Sequence, residues 1–484
     1  MRRTVVLAGY YGFGNTGDEA ILTSILAGLR RRVPGTAFIV VSGDPEATRT
    51  QHGVEPVGWR DVSAISASIA KSDVVLVGGG GLFQDYWGLD TKTLLTPRHG
   101  EIAFYAGPVV LAALARKPAL LYGLGFGPLA SPEARRYARA VADAAVYLSV
   151  RDEASRDLLV ATGVPEARIT VTADPAFALE VPDAPAPADL CRAAGIVPRG
   201  PILGVALRPW SIGVEQAAWE SEVAAALEQF LEQTEGTLLF VPFEKSPWTE
   251  KDDFDQASRL AAALSAPRRE HVAIAKPLSP RDTAALLSGC DLVLGMRLHS
   301  LVFAAAGGVP AVGLAYDPKV TALLSRLGAA PALPLAKLTS QDLLDALLTS
   351  LEESPAIASR LGEAAGRQRA LAEEDLDRAA RLISNPPAAP EISRAVLGLF
   401  DDALEANRGH ATEIETGLLA AKSGLDALER AHAREKALLE ERLGETRQEL
   451  ARLQGSTLWR IVNLFGRLRR TAAESARRIL GRPA

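Results

Sequence analysis

Along residues 1–385, short apolar runs alternate with segments of helical length. The runs are Thr4–Ala8, Phe38–Val41, Asp73–Val77, Ala119–Tyr122, Ala145–Val150, Ile202–Leu207, Thr237–Phe243, His271–Ala275, Leu292–Leu294 and Ala311–Ala315. Helical patterns fall at Glu19–Arg32, 215–233, 251–264, 341–351 and 354–383, and a further one is capped at Ser279–Thr283. Strands joined through helices return parallel to one another, which constrains the chain to parallel sheets covered on both faces. The stretch Val181–Asp189, Val-Pro-Asp-Ala-Pro-Ala-Pro-Ala-Asp, interrupts the alternation and reads as a linker. The expectation is therefore α/β. Two doubly wound parallel sheets, in domains 1–180 and 190–385, should face each other across a cleft.

After Asn385-Pro-Pro-Ala-Ala-Pro390 the character changes. Residues 386–410 read as a linker. From 411 to 454 there is no Pro, and Leu418, Leu425, Leu428, Leu439, Leu443, Leu450 and Leu453 form an imperfect heptad series, a coiled-coil candidate able to make a homo-oligomer. Residues 455–484 carry seven Arg and one acidic residue, in a chain whose net charge is -5. Leu458, Ile461, Phe465 and Leu468 lie on one face there, with Trp459 beside them. A basic amphipathic helix of this kind reads as a membrane-surface contact.

Hydrophobic residues make up 48% of the 484, enough for sizeable cores. The charge balance gives no nucleic-acid signal. Cys191 and Cys290 are the only cysteines, which excludes a disulfide framework or thiolate zinc site and suits a reducing cytosol. The apolar start is cut off by Gly12, Asn15 and Asp18, too early for a signal peptide. The longest uncharged apolar stretch, Ile102–Ala115, has 14 residues, too few to span a bilayer. His52, His99 and His271 show no ligand spacing, and no metal site is expected.

Arg297 and His299 stand where a strand hands over to a helix, the edge at which open α/β sheets bind ligands. If 295–299 is extended and the helix starts near Ser300, the reading favoured here, both side chains share one side; if it is already helical they point apart. The alternative is a surface Arg and a hydrogen-bonded His. Arg151 likewise follows a strand, with Asp152 and Glu153 as possible partners. Gly12, Gly14 and Gly17 match G-x-G-x-x-G, with Asp44 after the next strand. However, Asn15 and the pair Asp18-Glu19 oppose a pyrophosphate at that helix start. Asp18 reads as the N-cap. Gly78–Gly81 and the Gly123–Gly127 segment allow either a close ligand approach or a tight turn.

Taken together, Gly14-Asn-Thr-Gly-Asp-Glu19, Gly78-Gly-Gly-Gly-Leu-Phe-Gln-Asp85, Ser149-Val-Arg-Asp152 and Gly295-Met-Arg-Leu-His-Ser300 resemble the polysaccharide pyruvyl transferase family, over about residues 1–385. The closest match is to bacterial members acting in cell-surface polymer synthesis. The resemblance implies a GT-B-like pair of Rossmann-like domains and transfer of pyruvate from phosphoenolpyruvate onto two sugar hydroxyls to form a ketal. In the surface-layer branch the acceptor is an N-acetylmannosamine-type sugar on a lipid. Phosphoenolpyruvate enters as co-substrate, with no cofactor. The family's donor-binding residues fall on Arg151, Arg297, Leu298, His299 and Lys319. Asn15 and Gly17 are expected beside the donor, and Asp18, Gly79, Gly80 and Arg208 toward the acceptor or cleft.

The chemistry suits these residue types. Arg holds a carboxylate or phosphate bidentately, so Arg151 and Arg297 from opposite domains are expected to clamp the donor. Protonating the methylene suits a His, which makes His299 the acid–base candidate. Such a protein is expected in the cytoplasm, peripheral to the inner membrane face. A nucleotide-sugar glycosyltransferase is the alternative, distinguished by release of a nucleoside diphosphate rather than phosphate. A scaffold built around the coiled coil has no need for the Gly-rich loops or the paired arginines.

Overall fold

The computed structural model describes residues 2–99, 101–181, 187–245 and 252–409, with 441, 443–449, 451–452 and 455 beyond them. The expected coiled coil (411–454) and basic tail (455–484) lie outside the described residues but for those few positions.

The first sheet holds β1 (Thr4–Ala8), β2 (Ala37–Ser42), β3 (Glu55–Gly58), β4 (Val74–Phe83), β5 (Ala119–Phe126), β6 (Ala145–Val150) and β7 (Thr170–Val171). Its order is β3-β2-β1-β4-β5-β6-β7. The second holds β8 (Ile202–Ala206), β9 (Thr237–Phe240), β10 (Val272–Ile274), β11 (Leu292–Gly295), β12 (Ala311–Ala315) and β13 (Leu333–Pro334), in the order β10-β9-β8-β11-β12-β13. All pairings are parallel. Central strands are apolar on both faces because helices cover both: Val74–Val77 and Leu292–Leu294 are fully buried. In each sheet the winding reverses between the first strand and the one that neighbours it on the other side, β1/β4 and β8/β11. A crevice opens above the strand ends at each reversal, and the two crevices face each other.

Three local expectations are corrected. The glycines Gly78–Gly81 continue β4 rather than ending it. The helix Thr16–Arg32 is capped by Asn15, whose side chain accepts from the Gly17 and Asp18 amides, so Asp18 is not the cap. The helix Leu298–Ala306 starts two residues early, with Arg297 (φ −71°, ψ 125°) in the capping position.

The domains are tied together beside the crevices. The Thr16 amide donates to the Phe243 carbonyl at 2.8 Å. Arg326 donates to the Thr172 carbonyl at 2.6 Å and to the Arg151 carbonyl. The long helix Ser354–Ser384 returns to the first domain. Its buried Asp375 accepts from Tyr147, Ser149 and Thr172, and its Glu373 and Asp377 pair with Arg32. The 386–410 segment is not a free linker. Residues 394–409 are helical, and Val396, Leu399, Phe400 and Ala403 are buried in the first domain's core. An apolar face on this segment leaves it better packed than solvated. Among the described residues no helix is long and apolar enough to cross a membrane.

Candidate active site

The crevices merge into one cavity of about 920 Å³. Its lining includes Asn15, Asp18, Arg151, Arg208, Arg297, Leu298, His299 and Lys319. Every cleft position expected from the sequence is therefore at or beside this cavity. Gly17 touches His299, and Gly79 and Gly80 back Asp18 and its helix.

Glycine makes the approach possible. A Cβ on Gly17 would sit 2.0 Å from the His299 Nδ1, so the imidazole of the second domain rests directly on the helix start of the first. Gly79 and Gly80 have φ of +72° and +81°, which only glycine adopts without strain. A Cβ on Gly79 would meet Ile21 at 2.0 Å, and one on Gly80 would meet the Asp18 carboxylate at 2.6 Å. The glycine run thus seats the first helix and its Asp18. The Tyr11 hydroxyl donates to the Gly78 carbonyl and fixes the strand end. Asp85, which closes the same motif, accepts from the Ala130 and Ser131 amides and is structural.

Gly17→Ala is a sensitive test of this contact. Alanine favours a helix over glycine by roughly 0.5–1 kcal/mol. The enforced displacement of His299 costs roughly 1–3 kcal/mol, so the protein should melt at a lower temperature despite that gain. Turnover should fall about 10²-fold, the cost of a small displacement of a reacting group. Calorimetry and kcat measured on one preparation check both parts, and unchanged kcat would sever Gly17 from the site.

His299 is organised by carboxylates. Its Nε2 lies 3.5 Å from Asp174 Oδ1, an ion-pair distance without hydrogen-bond alignment. Asp174 caps the 3₁₀ turn Pro175–Ala178 and receives Arg151 Nη1 at 3.0 Å on its other oxygen. Burial acts to raise the Asp174 carboxyl, but His299 and Arg151 hold it below the usual carboxylate range. Asp18 behaves oppositely. Burial pushes it up to about 7, with His299 drawing it down and Glu244 and Glu19 adding to the rise. The cavity thus holds one carboxylate locked as an anion and one carboxyl poised to exchange a proton near neutrality.

Arg151 and Arg297 line the cavity from opposite domains, but their forks are not empty. Arg297 Nε and Nη2 hold both oxygens of buried Asp253, at 2.8 and 2.5 Å, and Nη2 also meets Glu244 at 2.7 Å. Arg151 is held by Asp174 and lies 3.5 Å from Asp152. Burial disfavours both guanidinium charges, but these carboxylates outweigh it and both titrate above their usual range. A polar fork taken out of water needs such partners. Arg297 and His299 do not share one side as an extended segment requires. Because the helix begins between them, Arg297 turns to its own domain's carboxylates and His299 to Asp174 across the cleft. Lys319 Nζ sits 2.9 Å from Asp317 and over the Tyr316 ring, and Arg208 lies over Trp210 and Tyr316. Burial raises the Tyr316 phenol, yet Lys319, Arg208 and Arg297 bring it below its ordinary value.

Sequence reasoning missed Asp174, Asp253, Glu244 and Tyr316. The Asp174-Pro175 pair carries a legible capping signal, Pro following the cap, but nothing local says what else the carboxylate holds. Among the described residues no cluster of three or more His, Cys, Asp or Glu could hold a metal ion.

Comparison with known proteins agrees with this geometry. Solved structures of similar fold include Anabaena Alr3699/HepE in complex with UDP (TM-score 0.52, 15% identity, 79% of this chain and 100% of that one). They also include S. aureus MnaA with UDP (TM-score 0.53, 15% identity, 81% and 100%). These likenesses establish the GT-B-like pairing of domains. Amylovoran biosynthesis protein AmsJ of Erwinia amylovora is 22% identical over 270 residues, 54% of this chain, and the chain spans 60% of that relative's length. The family profile for polysaccharide pyruvyl transferase matches residues 15–318, which run from the Asn15 cap through Arg151 and His299 to the start of the helix after Tyr316. The chain belongs to the polysaccharide pyruvyl transferase family.

Proposed function

We propose that the protein moves pyruvate from phosphoenolpyruvate onto two hydroxyls of one sugar, leaving a cyclic ketal. The observation that carries this reading is the seating of His299 on Gly17, between Asp174 and Asp18. The helix Leu298–Ala306 begins there without a side-chain cap, and an uncapped helix N-terminus favours anions. The donor's carboxylate and phosphate lie among Arg151, Arg297, Arg208 and Lys319. The peptide backbone at Leu298 belongs to the same helix start.

His299, 3.5 Å from Asp174, acts as the general acid that protonates the methylene carbon, which becomes a methyl group. The neighbouring carbon becomes oxocarbenium-like, and a sugar hydroxyl adds to it while Asp18 takes the hydroxyl proton. Phosphate leaves with its C–O bond electrons and takes the proton held by Asp18, and the second hydroxyl closes the ring as its own proton returns to the His299 imidazole. The arginines and lysine offset the charge that develops on phosphate. Incubation with phosphoenolpyruvate and lipid-linked or soluble amino sugars tests the reading. A mass gain of one pyruvyl ketal with stoichiometric phosphate supports it. Release of a nucleoside diphosphate from a nucleotide sugar would instead make the protein a glycosyltransferase.

Asp18 gives a second test. A carboxyl with a raised folded pKa binds a proton that the unfolded chain releases near pH 4. Its ionisation therefore costs stability as pH rises toward 7. Three pH units correspond to at most about 4 kcal/mol. Asp18→Asn is expected to stabilise the protein by roughly 1–3 kcal/mol at pH 8, with the gain fading below pH 4. Turnover should drop about 10²–10⁴-fold. Urea melts at pH 4 and pH 8 read the first part, and a gain that is equal at both would assign the effect to something other than this ionisation.

The acceptor we infer is lipid-linked and N-acetylmannosamine-like, reached from the cytoplasmic membrane face. Residues 455–484 supply the contact, and 411–454 supply self-association. Support lies in the seven Arg of the tail and its apolar face. Anionic lipid contributes about 1 kcal/mol per basic residue near the surface. Full-length protein should co-sediment with anionic vesicles at low salt, and protein ending at Gln454 should not. Equal sedimentation of both would remove the tail from this account.

A further inference from the structure

We propose that an aromatic wall across the cavity, centred on Trp87, is the subsite for a pyranose ring of the acceptor. The word acceptor rests on the pyruvyl transfer reading. The subsite itself rests on the following geometry.

Tyr86 and Trp87 follow β4 in the first domain, Trp210 follows β8, and Tyr316 follows β12. Trp87 and Trp210 lie 6.1 Å apart at 72°, Tyr86 and Trp87 6.0 Å at 67°, and Trp210 and Tyr316 4.6 Å at 63°. These contacts are edge-on, so neither Tyr86 nor Trp210 is stacked on the Trp87 face. The two tryptophans are treated differently. Trp210 is 5% exposed and donates its indole N–H to the Ile212 carbonyl, whereas Trp87 is 58% exposed and lines the cavity. A domain-joining aromatic would be buried like Trp210. Trp87 instead presents apolar area to the cavity, a cost that a ligand recovers.

The rim is polar. Gln84 Oε1 and Arg208 Nε are buried, and neither has a hydrogen-bond partner among the described residues. One accepts and the other donates, and sugar hydroxyls do both. A pyranose has a face of C–H groups and a rim of hydroxyls, which matches an indole face with this pair beside it. Arg208 also lies over Trp210 and Tyr316, next to the Lys319 and Arg297 charges that serve the donor. A ring on Trp87 is therefore a neighbour of the anion site. A cavity of about 920 Å³ holds far more than a three-carbon phosphate.

The test is saturation-transfer NMR on the full chain. The probes are methyl glycopyranosides of galactose, glucose and N-acetylmannosamine, and UDP, with phosphoenolpyruvate present. Pyranose C–H signals are expected with the wild type, weakened about tenfold in affinity by Trp87→Ala and largely restored in Trp87→Phe. In turnover, KM for the sugar should rise while KM for phosphoenolpyruvate stays put. Pyranose binding that survives Trp87→Ala overturns the proposal. So does a wild type that binds no pyranose, UDP displacing the sugar from Trp87, or both KM values rising together. Trp87-dependent pyranose binding without ketal formation leaves the subsite standing and removes pyruvyl transfer. Ketal formation indifferent to Trp87 does the reverse.

Discussion

His299→Ala is expected to lower ketal formation and phosphate release together by about 10²–10⁴-fold, the usual contribution of a positioned general acid. The imidazole touches the Gly17 backbone and lies 3.5 Å from Asp174, so it bridges the domains as well as carrying a proton. These roles separate with His299→Gln, which restores bulk and a polar tip but carries no proton at neutral pH. If proton transfer is the function, Gln is as inactive as Ala. If bridging is the function, Gln recovers most turnover. Asp174 should report the loss too. With His299 gone, its remaining partners are Arg151 and the Ala176 amide, so its carboxyl should titrate closer to the usual range. Near-normal turnover by His299→Ala would take the acid–base role away from this residue.

The second large effect concerns stability. Asp253→Ala is expected to cost about 3–5 kcal/mol, because it leaves the buried Arg297 guanidinium without its bidentate partner. Asp253 also accepts from the Phe243 and Glu244 amides, which lose that acceptor. The double variant Asp253→Leu/Arg297→Met should recover only part of the stability, since an apolar pair removes the unpaired charge but leaves the Phe243 and Glu244 amides without their acceptor and Glu244 without Arg297. It should not recover turnover. Arg297→Lys should also inactivate, keeping the charge but losing the fork. Urea denaturation of the three variants checks the pattern. A loss of only a few tenths of a kcal/mol for Asp253→Ala would mean that water reaches Arg297 and the pair matters little.

The fold was legible because it rests on local, repeated signals. Runs such as Ala145–Val150 and Ala311–Ala315 are strands at the expected bounds, since buried parallel strands are apolar throughout. Boundaries failed where one residue obeys two rules. Arg297 has strand-like dihedrals and yet caps a helix, so periodicity alone could not decide where His299 points. The Gly78–Gly81 run reads as a turn from composition, but backbone hydrogen bonding to β5 keeps it in the sheet. Residues 394–409 read as linker because Asn385-Pro-Pro-Ala-Ala-Pro390 masks the short apolar face that follows.

In the candidate site the cations were legible, as were Asp18 and the adjacent Asp152, but the distant carboxylates that hold the arginine forks were not. An arginine at the end of a strand is conspicuous, whereas its carboxylate comes from elsewhere in the chain. Asp174 is 23 residues from Arg151, and Asp253 is 44 residues from Arg297. No spacing rule reaches that far. The partners matter because they change what the arginines are. Two forks expected to be open to a donor are instead built into carboxylate frames, with Arg208 and Lys319 nearer to the aromatic wall.

The return of helix Ser354–Ser384 to the first domain bears on how the protein is made. Synthesis delivers β1 to β7 early, but Tyr147, Ser149 and Thr172 wait for Asp375, about 200 residues later. At about 5–20 residues per second that interval is roughly 10–40 s. Until then the nascent first domain leaves the ribosome with its flank open, and the apolar groove awaiting Leu376 and Ala379 is exposed to chaperones and to neighbouring chains. The half of the molecule that is translated first is thus the half that is finished last.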